Sequence, residues 1–349
     1  MTGTTQTPDA PVRETVDDYL GPGERRFFGS GYRRAEQRLT DIQVVSQADG
    51  TGTVHARGSV DYPADWSRKG TTDQAPHLSS IDALLIAGEA AELHLTHALG
   101  LDAAQRRGLR LRRVQLKAGR RPVEEELDGF AVHATTARPS ERSTVVDCRV
   151  GELRASLEIE HPPLPAATVG PARSARYDSP EDLLGPARLR PYAAAHRSRT
   201  QTIEELSVDL PARRASALLG SRAVEPPAGP VGGLESYSYG AVSALDVFVG
   251  AIQLGQILIY GLDSVSRAES NTLWMRQAVL EIGDPYRPLS GPAPLSAELV
   301  DPQLLTTKAG ETWRVVDIAA AFAHMRIRCS ATHRLPADRA RRGGTEAAA

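Results

Sequence analysis

The longest apolar run of the chain lies in its second half. From Val247 to Leu262 no side chain is charged, and only polar residues such as Gln253 and Gln256 interrupt the apolar positions. A helix that is apolar on nearly all sides either lies in lipid or is enclosed by protein. The run is shorter than the roughly 20 apolar residues that a spanning helix needs, and Asp246 precedes it. We therefore expect a core helix that the same chain encloses, and no membrane segment.

An earlier stretch repeats this one at an offset of 164 residues. Residues 79–119 align without gaps with residues 243–283, and the apolar positions agree. The identical pairs include Ser79/Ser243, Asp82/Asp246, Ala87/Ala251, Ala104/Ala268, Leu109/Leu273, Arg112/Arg276, Leu116/Leu280 and Gly119/Gly283. Two copies of one supersecondary unit, each with its own apolar helix, explain this match.

Alternating apolar and polar positions predict strands in the same order around each helix. The predicted strands are 32–47, 53–62, 109–119, 129–137 and 144–160 in the first copy, and 200–209, 234–241, 271–283, 298–307 and 312–333 in the second. One helix followed by consecutive strands is not a βαβ series and favours an antiparallel sheet that curls around the helix. We predict an α+β fold, namely a double hot-dog of two curled antiparallel sheets, each wrapping a long central helix.

The same patterns predict the domain boundaries. We expect a disordered N-terminus at 1–18, a first hot-dog domain at 19–161, a linker at 162–197, a second hot-dog domain at 198–336 and a disordered tail at 337–349. Proline and arginine are frequent in the predicted linker, as is typical of segments between domains.

Composition narrows the range of possible functions. The net charge of -2 provides no field for nucleic acid. The two cysteines, Cys148 and Cys329, lie in strand-like segments and are expected to be buried thiols. The nine histidines form no metal-binding spacing, so we expect no metal and no cofactor. The polar N-terminus resembles no signal peptide, which indicates a cytoplasmic protein. Arginine occurs 38 times and lysine three times, which is typical of a GC-rich genome.

Both predicted helices begin with Ser-x-x-Asp, at Ser79–Asp82 and Ser243–Asp246. This spacing is nearly a capping box, in which the serine and the aspartate satisfy each other's backbone amides, and capping alone could explain it. A buried helix start also carries a partial positive charge, which can bind the oxygen of a thioester carbonyl or of the enolate formed from it.

Candidate chemistry surrounds the two helix starts. Before the first helix, the loop 61–82 contains Trp66, Lys69 and His77, and the imidazole of His77 could remove an acidic proton. A loop histidine is more often a solvated residue, and Lys69 more often a solvated charge. Around the second helix, Tyr239, Asn271, Trp274 and Arg276 could bind a polar substrate. Strand alternation would place Trp274 and Arg276 on one face, where a solvated arginine is equally expected.

Four motifs together resemble a known family. They are YLGPGERRFFGSGY at 19–32, DWS at 65–67, PHLSSIDALL at 76–85 and SNTLWMR at 270–276. With these motifs, the chain resembles the avirulence D proteins (AvrD), the syringolide synthases of plant-pathogenic pseudomonads and their actinobacterial relatives. The duplicated layout is also similar to the A-factor synthase family.

This resemblance implies a synthase of the secondary metabolism. It would join a β-ketoacyl thioester, carried by an acyl carrier protein or CoA, to a small hydroxy ketone and close a butenolide or γ-lactone. On this hypothesis His77 is the base, Asp82 orients it or polarises the sugar hydroxyl, and Ser79 faces the oxyanion. The predicted substrate-binding residues are Trp66, Lys69, Tyr239, Ser243, Asp246, Asn271, Trp274 and Arg276.

Other functions remain open from the sequence. A hot-dog thioesterase, a 3-hydroxyacyl dehydratase and a non-catalytic acyl-binding module would have the same layout. The HxxxGxxxxP-like loop of the dehydratases is missing from both helix regions. The duplication supplies the usual pair of hot-dog units within one chain, so both a monomer and a homodimer are compatible with it.

Overall fold

The computed structural model describes residues 14–119, 122–163, 172–270, 272–283, 289 and 291–336. Five α-helices lie in these ranges: α1 (Val16–Leu20), α2 (Ser80–Leu99), α3 (Ala103–Arg106), α4 (Glu181–Leu184) and α5 (Ala244–Leu262). The strands are β1 (Glu36–Ser46), β2 (Gly52–Asp61), β3 (Arg68–Lys69), β4 (Thr72–Asp73), β5 (Arg110–Lys117), β6 (Phe130–Ser140), β7 (Ser143–Val150), β8 (Leu153–Glu160), β9 (Arg173–Tyr177), β10 (Arg199–Asp209), β11 (Arg214–Ala223), β12 (Trp274–Ile282), β13 (Ala293–Thr306), β14 (Thr312–Phe322) and β15 (Met325–Arg334).

Thirteen strands form one antiparallel sheet, which confirms the α+β class and corrects the expectation of two separate sheets. The strand order is β10-β11-β13-β14-β15-β12-β5-β8-β7-β6-β2-β1-β9. The halves join where β5 pairs with β12. Each of these two strands would otherwise be an edge with unpaired backbone groups, and their pairing removes both edges.

The junction carries a pseudo-twofold relation between the halves. Gln115 pairs directly with Val279, which is its own equivalent at the 164-residue offset, and Leu116 pairs with Ala278. The first strand of each half also contains a bulge, with the equivalent residues Asp41 and Glu205 both at positive φ. The repeat in the sequence is therefore a repeat of the structure.

Each half of the sheet packs against one long helix. Helix α2 contacts β1, β2, β5, β6, β7 and β8, and α5 contacts β10, β11, β13, β14 and β15. Among the described helices, α5 is long and apolar enough to cross a membrane, yet 89% of its apolar window is buried inside the protein. The sheet therefore encloses the apolar run from which the prediction started.

The two halves exchange short segments, in the sense that each half contributes a short helix that packs on the long helix of the other half. Helix α1, near the N-terminus, packs on α5, while α4 packs on α2. The same exchange brings the Arg26 guanidinium to Gln253 of α5 at 2.6 Å and that of Arg190 to Glu89 of α2 at 2.7 Å. Arg26 and Arg190 are equivalent at the offset of 164, as are Glu89 and Gln253. The repeat thus extends upstream of the aligned helices.

This exchange changes the predicted boundaries. Much of the segment 162–197 is not a linker, because it contains β9, which pairs with β1, and α4, whose Leu184 is buried. Its prolines and glycines form turns between these short elements. Part of α1 also falls within the segment predicted to be disordered, 1–18, of which residues 1–13 lie outside the described ranges, as does the predicted tail.

Most predicted strands are present, but several details of the prediction were wrong. The Tyr/Ser alternation at 234–241 suggested a strand, but a 3₁₀ turn, Ser236–Ser238, lies there. Strand β11 was missed because its alanines, serine and glycine have weak β-propensity. The segments 144–160 and 312–333 are each a two-stranded hairpin, and not one strand.

Candidate active site

A cavity of about 310 Å³ opens at the start of α2. The C-terminal half of α5 forms its far wall, so both halves of the chain contribute to it. The aromatic and the polar or basic side chains that border it include Phe27, Phe28, Trp66, Lys69, His77, Ser79, Tyr260, Arg267 and Trp274. The volume is at the lower end of the usual range for small-molecule sites, and apolar walls with a few polar groups are typical of them.

His77 lies in this cavity two residues before the N-cap of α2. Its ring packs against Trp66, with centroids 5.2 Å apart, and against Trp274 at 6.3 Å. Burial lowers the pKa of the imidazole below its ordinary 6.5, so the ring is neutral at pH 7. Its Nδ1 lies 3.3 Å from the carbonyl oxygen of Ala75. A proton on Nδ1 would be donated there, which leaves the lone pair of Nε2 available as a base.

The hydrogen bonds of the Asp82 side chain go to residues other than His77. Its Oδ2 accepts from the Ser79 amide at 2.9 Å, the Ser79 hydroxyl at 2.5 Å and the hydroxyl of Tyr62, and its Oδ1 accepts from Gln37 at 2.7 Å. The carboxylate is completely buried. Four donors bond to Asp82, and it is not among the residues that border the cavity, so Asp82 holds the helix start and Tyr62 in place.

Tyr62 ties this cap to the candidate base. Its hydroxyl bonds to Asp82 and lies 2.9 Å from the backbone carbonyl of His77. Burial, and then the charge of Asp82, raise the pKa of this phenol well above 10, so it stays protonated. Tyr62 thereby fixes the backbone that carries the imidazole. No motif marked it in the sequence, since its partners are 15 and 20 residues away.

Two basic side chains from different halves meet in the cavity. Lys69 Nζ donates to the carbonyl oxygen of Ser270 at 3.2 Å. Arg267 donates to the carbonyl oxygen of Arg68 at 2.6 Å and lies 3.4 Å from the hydroxyl of Ser67. Lys69 is half-buried, so its amine is partly shielded from solvent. Its pKa falls to about 8, because of burial and then the charge of Arg267.

Three predicted residues of the second copy, Tyr239, Ser243 and Asp246, form a separate cluster. Tyr239 and Ser243 border a space of only about 20 Å³, which is room for little more than one water molecule. Asp246 accepts from Ser243 in a second capping box and from Arg199 at 3.0 Å. These residues therefore belong to the helix start equivalent to the first, and not to the cavity that contains His77.

Substitutions at equivalent positions explain why one site is open and the other filled. Tyr192, the equivalent of Phe28, lies over Gly88, where a Cβ atom would come within 2.4 Å of its ring. The equivalent of Gly88 in α5 is Ile252, a bulky residue where α2 has a glycine. The second site also has Ala241 where the first has His77. The glycine thus admits the aromatic ring that fills the second site.

Arg276 also does not border this cavity. Arg276 is exposed, because a bulge between Met275 and Gln277 breaks the alternation that would have placed it beside Trp274. Trp274 and Met275 border the cavity instead. Asn271 lies outside the described residues. Within the described ranges, no three His, Cys, Asp or Glu side chains are grouped so that they could hold a metal ion.

Comparison with known proteins identifies a family. The family model of the Pseudomonas avirulence D protein (AvrD) matches residues 12–336, nearly the whole chain. No curated protein matches the sequence.

Several solved structures are similar over most of their length. The tesB protein of Mycobacterium avium subs. paratuberculosis is 13% identical with a TM-score of 0.41, and the match covers 81% of this chain and 93% of that one. A putative oleoyl thioesterase from Lactobacillus plantarum is 9% identical with a TM-score of 0.38, covering 83% and 100%. The dehydratase domain of RzxB from Pseudomonas fluorescens is 14% identical with a TM-score of 0.33, covering 84% and 95%.

Proposed function

The chain belongs to the family of the Pseudomonas avirulence D protein, and from this premise we propose that it condenses a β-ketoacyl thioester with a small hydroxy ketone to a butenolide or γ-lactone. The observation that carries the proposal is the neutral imidazole of His77 in a cavity at the start of a buried helix. We interpret each half-sheet with its helix as one hot-dog unit, so that the cavity lies between two units.

The first step is an acyl transfer. The hydroxyl oxygen of the hydroxy ketone attacks the thioester carbonyl, the C–S bond breaks, and the hydroxyl proton passes to the departing thiolate. Ser79 and Ser80 border the cavity, so the positive end of the α2 dipole faces the oxygen on which negative charge develops. Preorganised dipoles of this kind typically contribute more to catalysis than any other single effect.

The second step forms the ring. The C2 hydrogens of a β-ketoacyl ester are acidic, because the resulting carbanion is delocalised over two carbonyl groups. His77 Nε2 removes one of these protons, and C2 attacks the ketone within the same molecule. Loss of water then gives the butenolide. Trp66 and Trp274, which both pack against the imidazole, exclude water from the reacting atoms.

The test is turnover followed by mass spectrometry. The purified protein is mixed with a β-ketoacyl N-acetylcysteamine thioester and either dihydroxyacetone or xylulose. A lactone adduct supports the proposal. Free β-keto acid alone indicates a thioesterase, an enoyl product from a 3-hydroxyacyl thioester indicates a dehydratase, and ligand that binds unchanged indicates an acyl-binding module. Each of the last three results, without a lactone, overturns the proposal.

His77→Ala tests the base. We expect turnover to fall by roughly 10² to 10⁴, the usual contribution of a general base, with little change in stability. His55→Ala is the matched control, because His55 is an exposed histidine of β2 whose ring packs on His133. Undiminished turnover in His77→Ala would show that another group removes the C2 proton.

A further inference from the structure

The cavity contains one amine, and the chain holds it in place. Lys69 ends the two-residue strand β3, which pairs with β4 in a tight hairpin. Its Nζ reaches across to the carbonyl oxygen of Ser270, at 3.2 Å. The neighbouring backbone is fixed in the same way, since Arg267 donates to the carbonyl oxygen of Arg68 at 2.6 Å. Contacts between the two halves of the chain thus position this amine beside the space where the substrates would lie.

The surroundings of Lys69 favour its neutral form. The charged or titratable groups that share the cavity with Lys69 are Arg26, His77, Glu124, Tyr260 and Arg267. Glu124 is exposed, and the guanidinium of Arg26 is paired with Asp17. Burial and then Arg267 lower the pKa of the Lys69 amine to about 8. Desolvation and a neighbouring cation are the two means by which enzymes turn a lysine into a nucleophile at neutral pH.

The use of lysine, and not arginine, at position 69 also indicates that the neutral amine is needed there. The chain contains 38 arginines and only three lysines, Lys69, Lys117 and Lys308. Lys117 and Lys308 are exposed. A site that needed only positive charge would be served at least as well by arginine, which this chain uses almost everywhere else. An arginine cannot lose its proton in a protein, whereas a lysine can.

We propose that Lys69 is a catalytic nucleophile that forms an imine with the ketone carbonyl of the hydroxy ketone before the ring closes. This inference rests on the proposed function, because it assigns a role in the same condensation. It concerns the second step, in which an unactivated ketone would be a poor electrophile for C2.

The chemistry balances without an external reagent. The neutral Lys69 amine adds to the ketone carbon, and loss of one water with uptake of one proton from solvent leaves a protonated imine. His77 removes a first C2 proton, C2 bonds to the imine carbon, and the C=N electron pair moves to nitrogen, which then takes the proton from His77. His77 removes the second C2 proton, and the ring double bond forms as the C–N bond breaks, which returns Lys69 as a neutral amine and leaves His77 to release the borrowed proton to solvent. The one water lost is that of the overall condensation.

Reductive trapping tests the covalent step. The intact protein is incubated with dihydroxyacetone and sodium cyanoborohydride, and its peptides are then analysed by mass spectrometry. We expect the mass of one hydroxy ketone, less one water and plus two hydrogens, on Lys69. At pH 7.5 labelling of Lys69 should exceed that of Lys117 and Lys308 by at least about tenfold, since an ordinary lysine ionises near pH 10.4. Equal labelling of the three lysines, or no label on Lys69, would overturn the inference.

The variants separate this inference from the proposed function. Lys69→Arg keeps the charge but cannot form an imine, so we expect it to release the open-chain β-ketoacyl ester in place of the lactone. Lys117→Arg is the matched control and should behave as the unmodified protein. Arg267→Gln should move the onset of Lys69 trapping to higher pH, because a neighbouring cation is lost. Lactone formation at full rate by Lys69→Arg would refute the imine and leave the synthase standing. Absence of any lactone from the unmodified protein would instead refute the proposed function.

Discussion

At the scale of single residues, hydrogen bonds decide which groups near the first helix start are free to react. Asp82 and His77 are five residues apart, yet Asp82 is completely buried and accepts from Ser79, Tyr62 and Gln37. Within the described part of the chain, the His77 ring is hydrogen-bonded through Nδ1, to the carbonyl oxygen of Ala75. The aspartate is therefore a positioning residue, and the imidazole is the candidate base.

Glu235 shows the same dependence on surroundings in the filled second site. It is 2% exposed and accepts from the hydroxyl of Tyr192 at 2.8 Å. Burial raises the pKa of this carboxyl to about 7 from its ordinary 4.5. The folded protein therefore holds this proton more tightly than the unfolded chain does. Its contribution to stability is present at low pH and is lost as the pH rises from about 4.5 through 7.

Glu235→Gln should therefore gain stability relative to the unmodified protein as the pH rises. The glutamine keeps an acceptor for Tyr192 and removes the ionisation, so the difference should grow between pH 5 and pH 8 to roughly 3 kcal/mol at most. Urea unfolding at the two pH values measures it. Glu225→Gln, at an exposed position, is the control and should show no such change. A difference that stays constant or shrinks with pH would contradict the assigned shift.

At the scale of elements, the two helices begin with the same cap but face different surroundings. Ser79 and Ser243 each accept from the amide three residues later, and Asp82 and Asp246 return the bond. The start of α2 opens into the cavity, whereas the start of α5 borders a space that Tyr192 and Tyr239 fill. One local motif thus serves stability in both copies and, on the proposed function, catalysis in only one.

Paired substitutions of the two caps separate these roles. Ser79→Ala and Ser243→Ala should each cost about 1 kcal/mol of stability, the usual loss for a serine N-cap. Only Ser79→Ala should also lower the rate of lactone formation, because it disturbs the helix end that faces the thioester. Denaturant unfolding and turnover are measured on both. Equal losses of activity would mean that the cavity at α2 is not the reaction site.

Strand β12 shows how one irregularity changes a site. Regular alternation would put Trp274 and Arg276 on the same face, but the bulge shifts the register after Met275. Trp274 therefore borders the cavity while Arg276 faces solvent. A bulge depends on pairing with β15, which is distant in the chain, so local pattern could not reveal it.

At the scale of the whole molecule, the halves are repeats but not independent units. Each long helix is covered partly by a short helix of the other half, α1 on α5 and α4 on α2. The sheet continues through the pairing of β5 with β12. The cavity itself has walls from both halves, since His77 and Lys69 face Tyr260 and Arg267 across it.

Separately produced halves should therefore fail to fold alone. Fragments 14–163 and 172–336 would each expose part of a long apolar helix and a central strand edge, which favours aggregation. Co-expression should restore a complex the size of the intact chain. Size-exclusion chromatography measures the size of the fragments and of the complex, and thermal unfolding by circular dichroism measures whether they are folded. The intact chain is the control. A lone 172–336 fragment that unfolds cooperatively as a monomer would refute the interdependence.

The sequence by itself determined the repeat, the two buried helices, most of the strands and the family. These features can be predicted from apolar spacing and local motifs, because helices, strands and caps depend mainly on residues that are close together in the chain. It also indicated His77, Lys69, Trp66 and Trp274 as candidate site residues, since they lie in the loop before a helix start or in a family motif.

Only the tertiary structure decided which copy has a cavity, that the sheet is continuous, and that short helices exchange between the halves. Tyr192 fills one site because Gly88 lies beneath it, although 104 residues separate them. Tyr62 and Arg267 likewise matter through partners far along the chain. Such contacts depend on which surfaces meet after folding, and the local pattern of a single sequence carries no record of them.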